Sequence, residues 1–382
     1  MTSMANRDIS SIYFDVKDLV EAEFQIKDAY IREETPTFII IPEPQLEEKL
    51  KRIRTKLNVK GIGVIIRKSD EYLQLTAQLI KPQPAPLRRS FTLNYPLILF
   101  IATIITVTIS GYINASSYID LLKILGRDET FNLYWLTAAY TISVMSILGL
   151  HELAHYIVCR RHNVKTSLPL FIPGIPGFSP FGTFGAVIRQ KSQTLNRNEL
   201  FDIGISGPLV GFLVALIVSF LGYSWSVPVS MEEYARIELT MGSGQTLALP
   251  ALFMFLKPFI FQGQNSYSYF LHPIAIAGWL GTLLTFLNIF PIGQLDGGHV
   301  SRAVLGPKWH RRVSYLMMGV MVLTGWWVMA LLLIFLLGGR HPELLDEVSP
   351  LSKKRKIMAL LVIVIFIACF TVSPDLAPLI PG

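Results

Sequence analysis

Cysteines and charged residues are both scarce in this chain, and each shortage excludes a class of protein. Only Cys159 and Cys369 occur among the 382 residues, and no CxxC pair is present, so neither a disulfide framework nor a thiolate zinc site is indicated. Charged residues make up 16% of the chain and hydrophobic residues 51%, a balance outside the usual range of soluble globular domains. The composition therefore predicts a protein embedded in a lipid bilayer.

The positive charge of the chain has two possible meanings. The formal net charge is +7, which suits either nucleic acid or the cytoplasmic surface of a membrane. Because apolar stretches dominate, we expect basic loops on the cytoplasmic side and no nucleic-acid partner. The N-terminus has no signal-peptide pattern, and its early Asp8, Asp15 and Asp18 argue against an organellar transit peptide. The first membrane helix is expected to act as the insertion signal.

The predicted organisation has three parts. Residues 1–86 are expected to form a small cytoplasmic α+β domain that ends in a proline-rich linker at 81–86. Residues 87–345 are expected to form the core within the membrane, and residues 346–382 a C-terminal hydrophobic segment. Within the first part, residues 21–32 are predicted to be helical.

The apolar stretches predict an α-helical polytopic membrane protein with about six transmembrane helices. The spans are expected at about 93–113, 132–158, 201–223, 269–291, 313–338 and 357–373. Arg88 and Arg89 precede the first span and place the N-terminal domain in the cytoplasm, because positive residues favour that side. Under this count the basic run at 353–356 falls on the opposite side, which conflicts with the same rule.

One motif in the second expected span carries chemistry. Residues 151–155 read HELAH, and on a helix His151 and His155 lie one turn apart on one face, where two imidazoles can bind one zinc ion. Glu152 projects beside them as a candidate general base. Ionisable residues are costly inside a bilayer and are functional by default, so the setting favours a metal site over an accidental pattern.

The metal site needs a third protein ligand, because a catalytic zinc usually takes three and leaves a fourth position for water. Asp296 is the better candidate, since it lies at the cytoplasmic end of the fourth expected span, at a depth that matches HELAH. Pro291 and Gly293 would unwind the helix there, which membrane proteins tolerate only around a protein-lined cavity. His299 is the alternative ligand. Asn288 could donate a hydrogen bond to a substrate carbonyl or, equally, to another helix.

Together these residues resemble the site-2 protease family of intramembrane zinc metalloproteases. The similarity lies within about residues 93–345 and rests on HELAH at 151–155, the stretch 288–298, FSPFGTFGA at 178–186 and SGPLVG at 206–211. The N-terminal domain and the absence of an inserted PDZ domain look like the cyanobacterial and chloroplast branch. Family members often carry Asn-Pro-Asp-Gly in the fourth span, whereas Leu295 precedes the aspartate here.

The resemblance implies a zinc metalloendopeptidase with one Zn²⁺ per chain. His151, His155 and Asp296 would be the ligands, and Glu152 the base. The implied substrate is a single-pass transmembrane protein, possibly cleaved beforehand, which is cut in or near its membrane segment. The implied location is the lipid bilayer of a bacterial plasma membrane or a thylakoid-type membrane.

The resemblance also assigns a role to the proline- and glycine-rich stretch 169–191. In relatives the corresponding segment is a membrane-embedded β-hairpin whose edge pairs with the substrate. Read from the residues alone, 182–188 is a plausible short strand between glycine turns, although an ordinary cytoplasmic loop also fits. The candidate substrate-binding residues in this strand are Gly182, Thr183, Phe184 and Gly185.

Three further interpretations complete the sequence-based picture. Gly207 and Gly211 form a GxxxG pair that we interpret as helix packing rather than chemistry. A metal-ion transporter or channel could line its path with the same His, Glu and Asp side chains, but the chain shows no paired repeat halves, which transporters often have. A membrane zincin that acts on soluble substrates is the remaining alternative.

Overall fold

A computed structural model describes most of the chain. The described residues are 9–32, 34–43, 45–69, 71–79, 94–127, 131–175, 181–241, 247–261, 268–337 and 344–371. The predicted linker at 81–86, the two arginines before the first span and residues 178–180 of the hairpin lie outside them.

The described residues divide into two compact units. The first contains the described part of Met1–Arg88 and two segments from much later in the sequence, Gln193–Leu200 and Pro342–Ser352. The second contains the described parts of the remaining ranges, which are Arg89–Ser192, Phe201–His341 and Lys353–Gly382. The domain boundaries expected after residues 86 and 345 remain predictions, and they did not anticipate the two later segments of the first unit.

The first unit is an α+β structure with one antiparallel sheet. Its elements are α1 (Ile9–Glu21), β1 (Ile26–Arg32), β2 (Thr35–Ile40), α2 (Leu46–Val59), β3 (Ile62–Ser69) and β4 (Tyr72–Leu79). The strands are arranged in the order β1-β2-β4-β3. Buried residues recur at helical spacing in α1 (Ile12, Val16 and Val20) and every second residue in β3, as each type of element requires when one face is covered.

The helix expected at residues 21–32 is wrong. Helix α1 ends at Glu21, and Ile26–Arg32 forms the edge strand β1, which pairs antiparallel with β2. Most side chains of β1 are exposed, so its charged residues are compatible with an edge strand. Pairing with β2 decides the conformation here, and periodicity within a single segment contains no information about such a partner.

The far edge of the sheet is covered by the segment that precedes the last helix. Ile66 of β3 donates its backbone N–H to Leu345 O at 2.8 Å and forms a parallel bridge with Asp346. Arg54 of α2 is buried and donates from Nη2 to the same Leu345 carbonyl at 2.7 Å. Leu345 and Asp346 in turn donate their N–H groups to backbone carbonyls of residues 194 and 195. The first unit is therefore completed by residues distant in sequence.

The second unit is mostly helical. Its elements continue as α3 (Asn94–Ile124), α4 (Leu133–Arg161), β5 (Leu170–Pro173), β6 (Thr183–Val187), α5 (Arg197–Ser224), β7 (Val227–Val229), α6 (Met231–Met241), α7 (Ala251–Ile260), β8 (Ser268–Phe270), α8 (Pro273–Ile289), α9 (Asp296–Leu323), α10 (Trp327–Leu337) and α11 (Lys353–Cys369). Helices α3, α4 and α5 are long and apolar enough to cross a bilayer, and α7 and α8 are shorter apolar helices. The protein is therefore an integral membrane protein.

The span expected at 313–338 is not one helix. Helix α9 ends at Leu323 and α10 begins at Trp327, with Gly325 between them at φ 85°, a left-handed conformation that glycine adopts without steric cost. Helix α9 is itself kinked at Gly306, whose φ is 77°, immediately before Pro307. Proline has no backbone N–H to donate, so the kink lies where the helical ladder is already interrupted.

Contacts identify which helix ends of the second unit lie together. At one end Asp202 of α5 accepts hydrogen bonds from Arg355 of α11 at 2.7 and 2.6 Å and contacts His162, the cap of α4, at 2.9 Å. At the other end, Trp326 donates from Nε1 to the carbonyl of Thr371 at 3.1 Å. The start of α11 therefore lies beside the end of α4, and its far end lies beside the turn between α9 and α10.

Candidate active site

Helix α4 presents both motif histidines to the interior. Its first turn is capped by Asn132, whose side chain accepts hydrogen bonds from the N–H groups of Tyr134 and Trp135. His151 and His155 are both buried, with 7% of their surface exposed, although the helix as a whole is apolar. Buried imidazoles in such a helix need polar partners, and the structure supplies them.

Three ligand atoms converge. His155 Nε2 lies 3.2 Å from His151 Nε2 and 3.2 Å from Asp296 Oδ2, and His151 Nε2 lies 3.3 Å from the same carboxylate oxygen. A tetrahedron with zinc–ligand distances of ~2.0–2.1 Å has edges of about 3.3–3.4 Å. The three observed separations match those edges, and two histidines with one carboxylate are a donor set that catalytic zinc accepts. The residues therefore fit a zinc ion.

A tight turn holds Asp296 at this position. Asp296 is the first residue of α9, and a Cβ on the following Gly297 would lie 1.8 Å from Ile289 O. A Cβ on Gly298 would lie 2.3 Å from Gly293 O. These contacts are with backbone atoms, which cannot move aside without changing the turn. Two consecutive glycines are therefore needed for the chain to fold back and bring the carboxylate to the histidines.

The remaining candidates from the sequence take different positions. Glu152 is buried, with 6% exposed, and directly follows the first histidine of the cluster. Among the described residues, the group whose ligand atoms converge comprises His151, His155 and Asp296 and does not include His299. Asn288 lies half-buried in the last turn of α8, and its catalytic role remains a prediction.

Helix α5 contributes a part of the site that the sequence-based interpretation missed. His155 Nδ1 lies 2.8 Å from the carbonyl oxygen of Ile203 and 3.3 Å from Ser206 Oγ. A proton on Nδ1 donated to that carbonyl leaves Nε2 free to bind metal. Gly207 and Gly211, which we interpreted as a packing pair, lie against the two histidine rings. The SGPLVG stretch at 206–211 was the available sequence signal for this contact. Its glycines indicate close packing but do not identify the histidines as the partners.

The predicted hairpin is present beside helix α3. Strands β5 and β6 pair antiparallel, with Phe171 opposite Ala186. Thr106 of α3 donates to Gly182 O at 2.7 Å, and Gly182 has a φ of 75°. Among the described residues, these two strands form a sheet of their own, so β6 has one edge without a strand partner.

The four candidate substrate-binding residues do not share one environment. Thr183 is buried and donates from Oγ1 to Ile172 O at 2.9 Å, which is a structural contact within the hairpin. Phe184 is 50% exposed, and Gly185 has a φ of 100°. Of the four residues, Phe184 is thus the one with a large side chain on the open surface of β6.

Comparison with known proteins agrees with this site. The sequence model of Peptidase family M50 matches residues 139–332, a little over half of the 382-residue chain. The matched region includes all three converging ligands. The chain therefore belongs to Peptidase family M50. This membership confirms the expected resemblance to the site-2 proteases.

The curated relatives point to the same class of enzyme. The chain is 28% identical over 238 residues to the probable zinc metalloprotease EGY1, chloroplastic, of Oryza sativa subsp. japonica. The aligned region covers 60% of this chain and 39% of that protein. The chain is 29% identical over 238 residues to EGY1 of Arabidopsis thaliana, with coverages of 60% and 42%. It is 28% identical over 235 residues to EGY2 of Arabidopsis thaliana, with coverages of 60% and 40%.

The chain spans about two fifths of the length of these relatives. No solved structure matches it. Membership of a peptidase family agrees with the class predicted from the sequence, and these relatives are named as probable zinc metalloproteases. The expected likeness to the chloroplast branch is confirmed as well.

Proposed function

We propose that this protein is an intramembrane zinc metalloprotease that hydrolyses a peptide bond in or near the transmembrane segment of single-pass membrane proteins. The observation that carries the proposal is the convergence of His151, His155 and Asp296 from two helices at separations of 3.2 to 3.3 Å. The histidines lie in a 29-residue apolar helix, so the substrate bond would be cut where hydrocarbon surrounds it.

The residues of the site divide the chemistry between them. His151, His155 and Asp296 would hold the zinc, which when bound polarises a peptide carbonyl and makes water a stronger acid. Glu152 would accept the proton that water loses as it attacks the carbonyl carbon, and would then donate a proton to the leaving amine as the C–N bond breaks. The side-chain amide of Asn288 would donate a hydrogen bond to the carbonyl oxygen of the substrate.

The hairpin supplies a way to present an extended substrate. A helical peptide bond is shielded by its own hydrogen bonds, so the substrate must unwind before it is attacked. The edge of β6 that faces away from β5 would offer backbone N–H and C=O groups to an unwound segment, as in recognition by strand addition. Gly182, Thr183, Phe184 and Gly185 would form this edge, with Phe184 in contact with the side chains of the substrate.

We further propose a topology in which the chain crosses the bilayer seven times. The contact between Asp202 and Arg355 places the start of α11 at the same end as the C-terminus of α4. Trp326 lies at the opposite end, beside Thr371, which supports a return crossing of the chain between Trp326 and Lys353. Helices α3, α4, α5, α8, α10 and α11 and the part of α9 after its kink are the proposed crossings.

This topology removes the conflict in the positive-inside rule. The basic run at 353–356 now lies on the same side as Arg160 and Arg161 at the end of α4, which the rule assigns to the cytoplasm. The N-terminal domain would then lie in the cytoplasm and the end of α11 on the opposite side. A bacterial plasma membrane or a thylakoid-type membrane is the proposed location.

The proposal is tested with full-length protein reconstituted in lipid vesicles with a single-pass membrane protein as substrate. We expect cleavage that stops when a chelator removes zinc and resumes when zinc is returned. The soluble fragment of the same substrate, without its membrane segment, should remain intact. Equal cleavage of the soluble fragment would instead support a zincin for soluble substrates. Zinc uptake into the vesicles without any cleavage would support a transporter and overturn the proposal.

A further inference from the structure

Three glycines of α5 lie directly against the residues of the candidate metal site. A Cβ on Gly207 would lie 2.1 Å from His155 Nε2 and 2.7 Å from His151 Nε2. A Cβ on Gly211 would lie 2.8 Å from His151 Nδ1, and one on Gly204 would lie 2.9 Å from Asp296 O. No ordinary carbon contact is this short, so each position requires a hydrogen atom in place of a side chain.

Gly207 differs from the other two in what its side chain would displace. The three atoms nearest to its missing Cβ are His155 Nε2, His155 Cδ2 and His151 Nε2, and both of these nitrogens face Asp296. A zinc ion binds imidazole nitrogen at ~2.0–2.1 Å. A methyl group at position 207 would therefore occupy the space in which these two nitrogens can hold a metal. The methyl group on residue 211, in contrast, would meet the opposite nitrogen of His151.

One turn earlier, the same helix orients the second histidine. Ile203 O accepts from His155 Nδ1 at 2.8 Å and from Ser206 Oγ at 2.9 Å. Ser206 Oγ also lies 3.3 Å from His155 Nδ1, so the hydroxyl and the carbonyl both face the nitrogen that does not bind metal. Contacts of this kind fix the ring and the tautomer of a metal-binding histidine.

We propose that α5 forms a wall of the metal centre, in which Gly207 keeps the coordination space open and Ser206, with Ile203 O, positions His155. This inference rests on the ligand assignment made above. It replaces the interpretation of Gly207 as a residue for helix packing alone. Gly207 and Ser206 are positioning residues, since neither supplies a ligand.

The test compares zinc binding by purified full-length variants. Gly207→Ala should lower zinc affinity by at least about 100-fold, and Ser206→Ala should lower it about tenfold, the range seen when the supports of a metal-binding histidine are removed. Gly149→Ala is the matched control, because a Cβ at this position of α4 meets no atom within 4 Å. It should bind zinc as the unchanged protein does. Zinc content is measured by mass spectrometry and affinity by competition with a coloured chelator.

The thermal midpoint, measured with zinc and with chelator, separates metal binding from packing. If the inference is correct, zinc raises the midpoint of the unchanged protein and of Gly149→Ala but not that of Gly207→Ala. Ser206→Ala adds no atoms, so it keeps the test valid if Gly207→Ala fails to fold. Unchanged zinc affinity in both variants would overturn the inference and leave the ligand assignment standing. Failure of the unchanged protein to bind zinc would instead contradict the proposed function.

Discussion

Both compact units bury apolar side chains, but they differ in the ionisable residues that they bury and in how much apolar surface they expose. In the first, the interior consists of large apolar side chains such as Phe38, Ile40 and Leu50, all fully buried. In the second, the interior of α4 contains His151, Glu152 and His155, whereas many of its leucine and isoleucine side chains are exposed. Water drives apolar residues inward, which accounts for a core such as that of the first unit, whereas lipid tails are as apolar as leucine and exert no such force on membrane helices.

We therefore expect the folding stability of the first unit and the metal binding of the second unit to depend on different residues. The first unit depends on its apolar core, so damage there should reduce folding without altering the metal site. The second unit depends on small residues and polar contacts inside a helical bundle, because helices in lipid associate through close packing and hydrogen bonds. Changes at its centre should therefore alter metal binding or catalysis.

The largest effect is expected at Glu152. Glu152→Gln keeps the size of the side chain and leaves all three ligands in place, so zinc content should not change. The loss of a general base should reduce the rate of cleavage about 100- to 10,000-fold. The measurement is a single-turnover cleavage rate together with the zinc content of the same sample. Full activity in this variant would show that another group accepts the proton.

The next effect is expected in the core of the first unit. Phe38 is fully buried and stacks on Tyr13 at a centroid distance of 5.4 Å, so Phe38→Ala should destabilise this unit by about 3–5 kcal/mol. Phe14→Ala is the control, because Phe14 is 60% exposed. Pulse proteolysis of the full-length protein in increasing urea measures the difference. Zinc binding should be the same in both variants, and a loss of zinc in Phe38→Ala would mean that stability and metal binding do not depend on different residues.

Lysine substitutions at two equally exposed side chains, one in each unit, should differ in their effect. Ile31 in β1 and Leu213 in α5 are each 49% exposed. Leu213→Lys places a charge in a membrane helix and should disfavour insertion by about 2.5–3.5 kcal/mol. Ile31→Lys places one on an edge strand in water, where lysine is well tolerated, and should change stability by only about 0.5 kcal/mol. Membrane extraction and expression level measure both, and equal behaviour would contradict the assignment of α5 as a span.

The smallest effect is expected where Arg54 contacts the segment before α11. Burial lowers the pKa of the Arg54 guanidinium from its usual value, and its hydrogen bond to Leu345 O is 2.7 Å long. Arg54→Met should destabilise the first unit by about 1–3 kcal/mol, since a buried hydrogen bond to a charged donor is removed. The control is Arg52→Met, because Arg52 pairs with Glu23 at the surface and such pairs contribute little. Urea denaturation should show a larger loss of stability in Arg54→Met than in Arg52→Met. Equal losses would show that the contact with Leu345 does not stabilise the first unit.

The sequence indicated the converging residues because the HELAH motif is local and the carboxylate follows a later apolar span. HELAH places two histidines on one helical face, and a carboxylate at the end of a later apolar span is the natural third ligand. The break at Gly325 was missed because hydropathy measures apolar length and does not detect a turn inside it. The wall formed by α5 was missed because a glycine pair looks the same whether it packs on an aliphatic side chain or on a metal-binding histidine.

The wrong prediction of a helix at residues 21–32 has a different cause. Whether residues 26–32 form a helix or a strand depends on β2, and the cover on β3 comes from Leu345 and Asp346, far away in the sequence. Residues that pair across such distances leave no periodic signal in either segment. The helices α1 and α2, in contrast, bury residues at helical spacing, which is a signal contained within one segment of the sequence.

The most direct test of the metal site is the zinc content of four purified proteins. The unchanged protein and Glu152→Gln should each contain one zinc ion per chain, and Asp296→Ala should contain almost none, because two histidines alone do not complete a catalytic zinc site. Asp346→Ala, which removes a buried aspartate of the first unit, should keep its zinc. Full zinc occupancy in Asp296→Ala would contradict the assignment of Asp296 as the third ligand and, with it, the site proposed here.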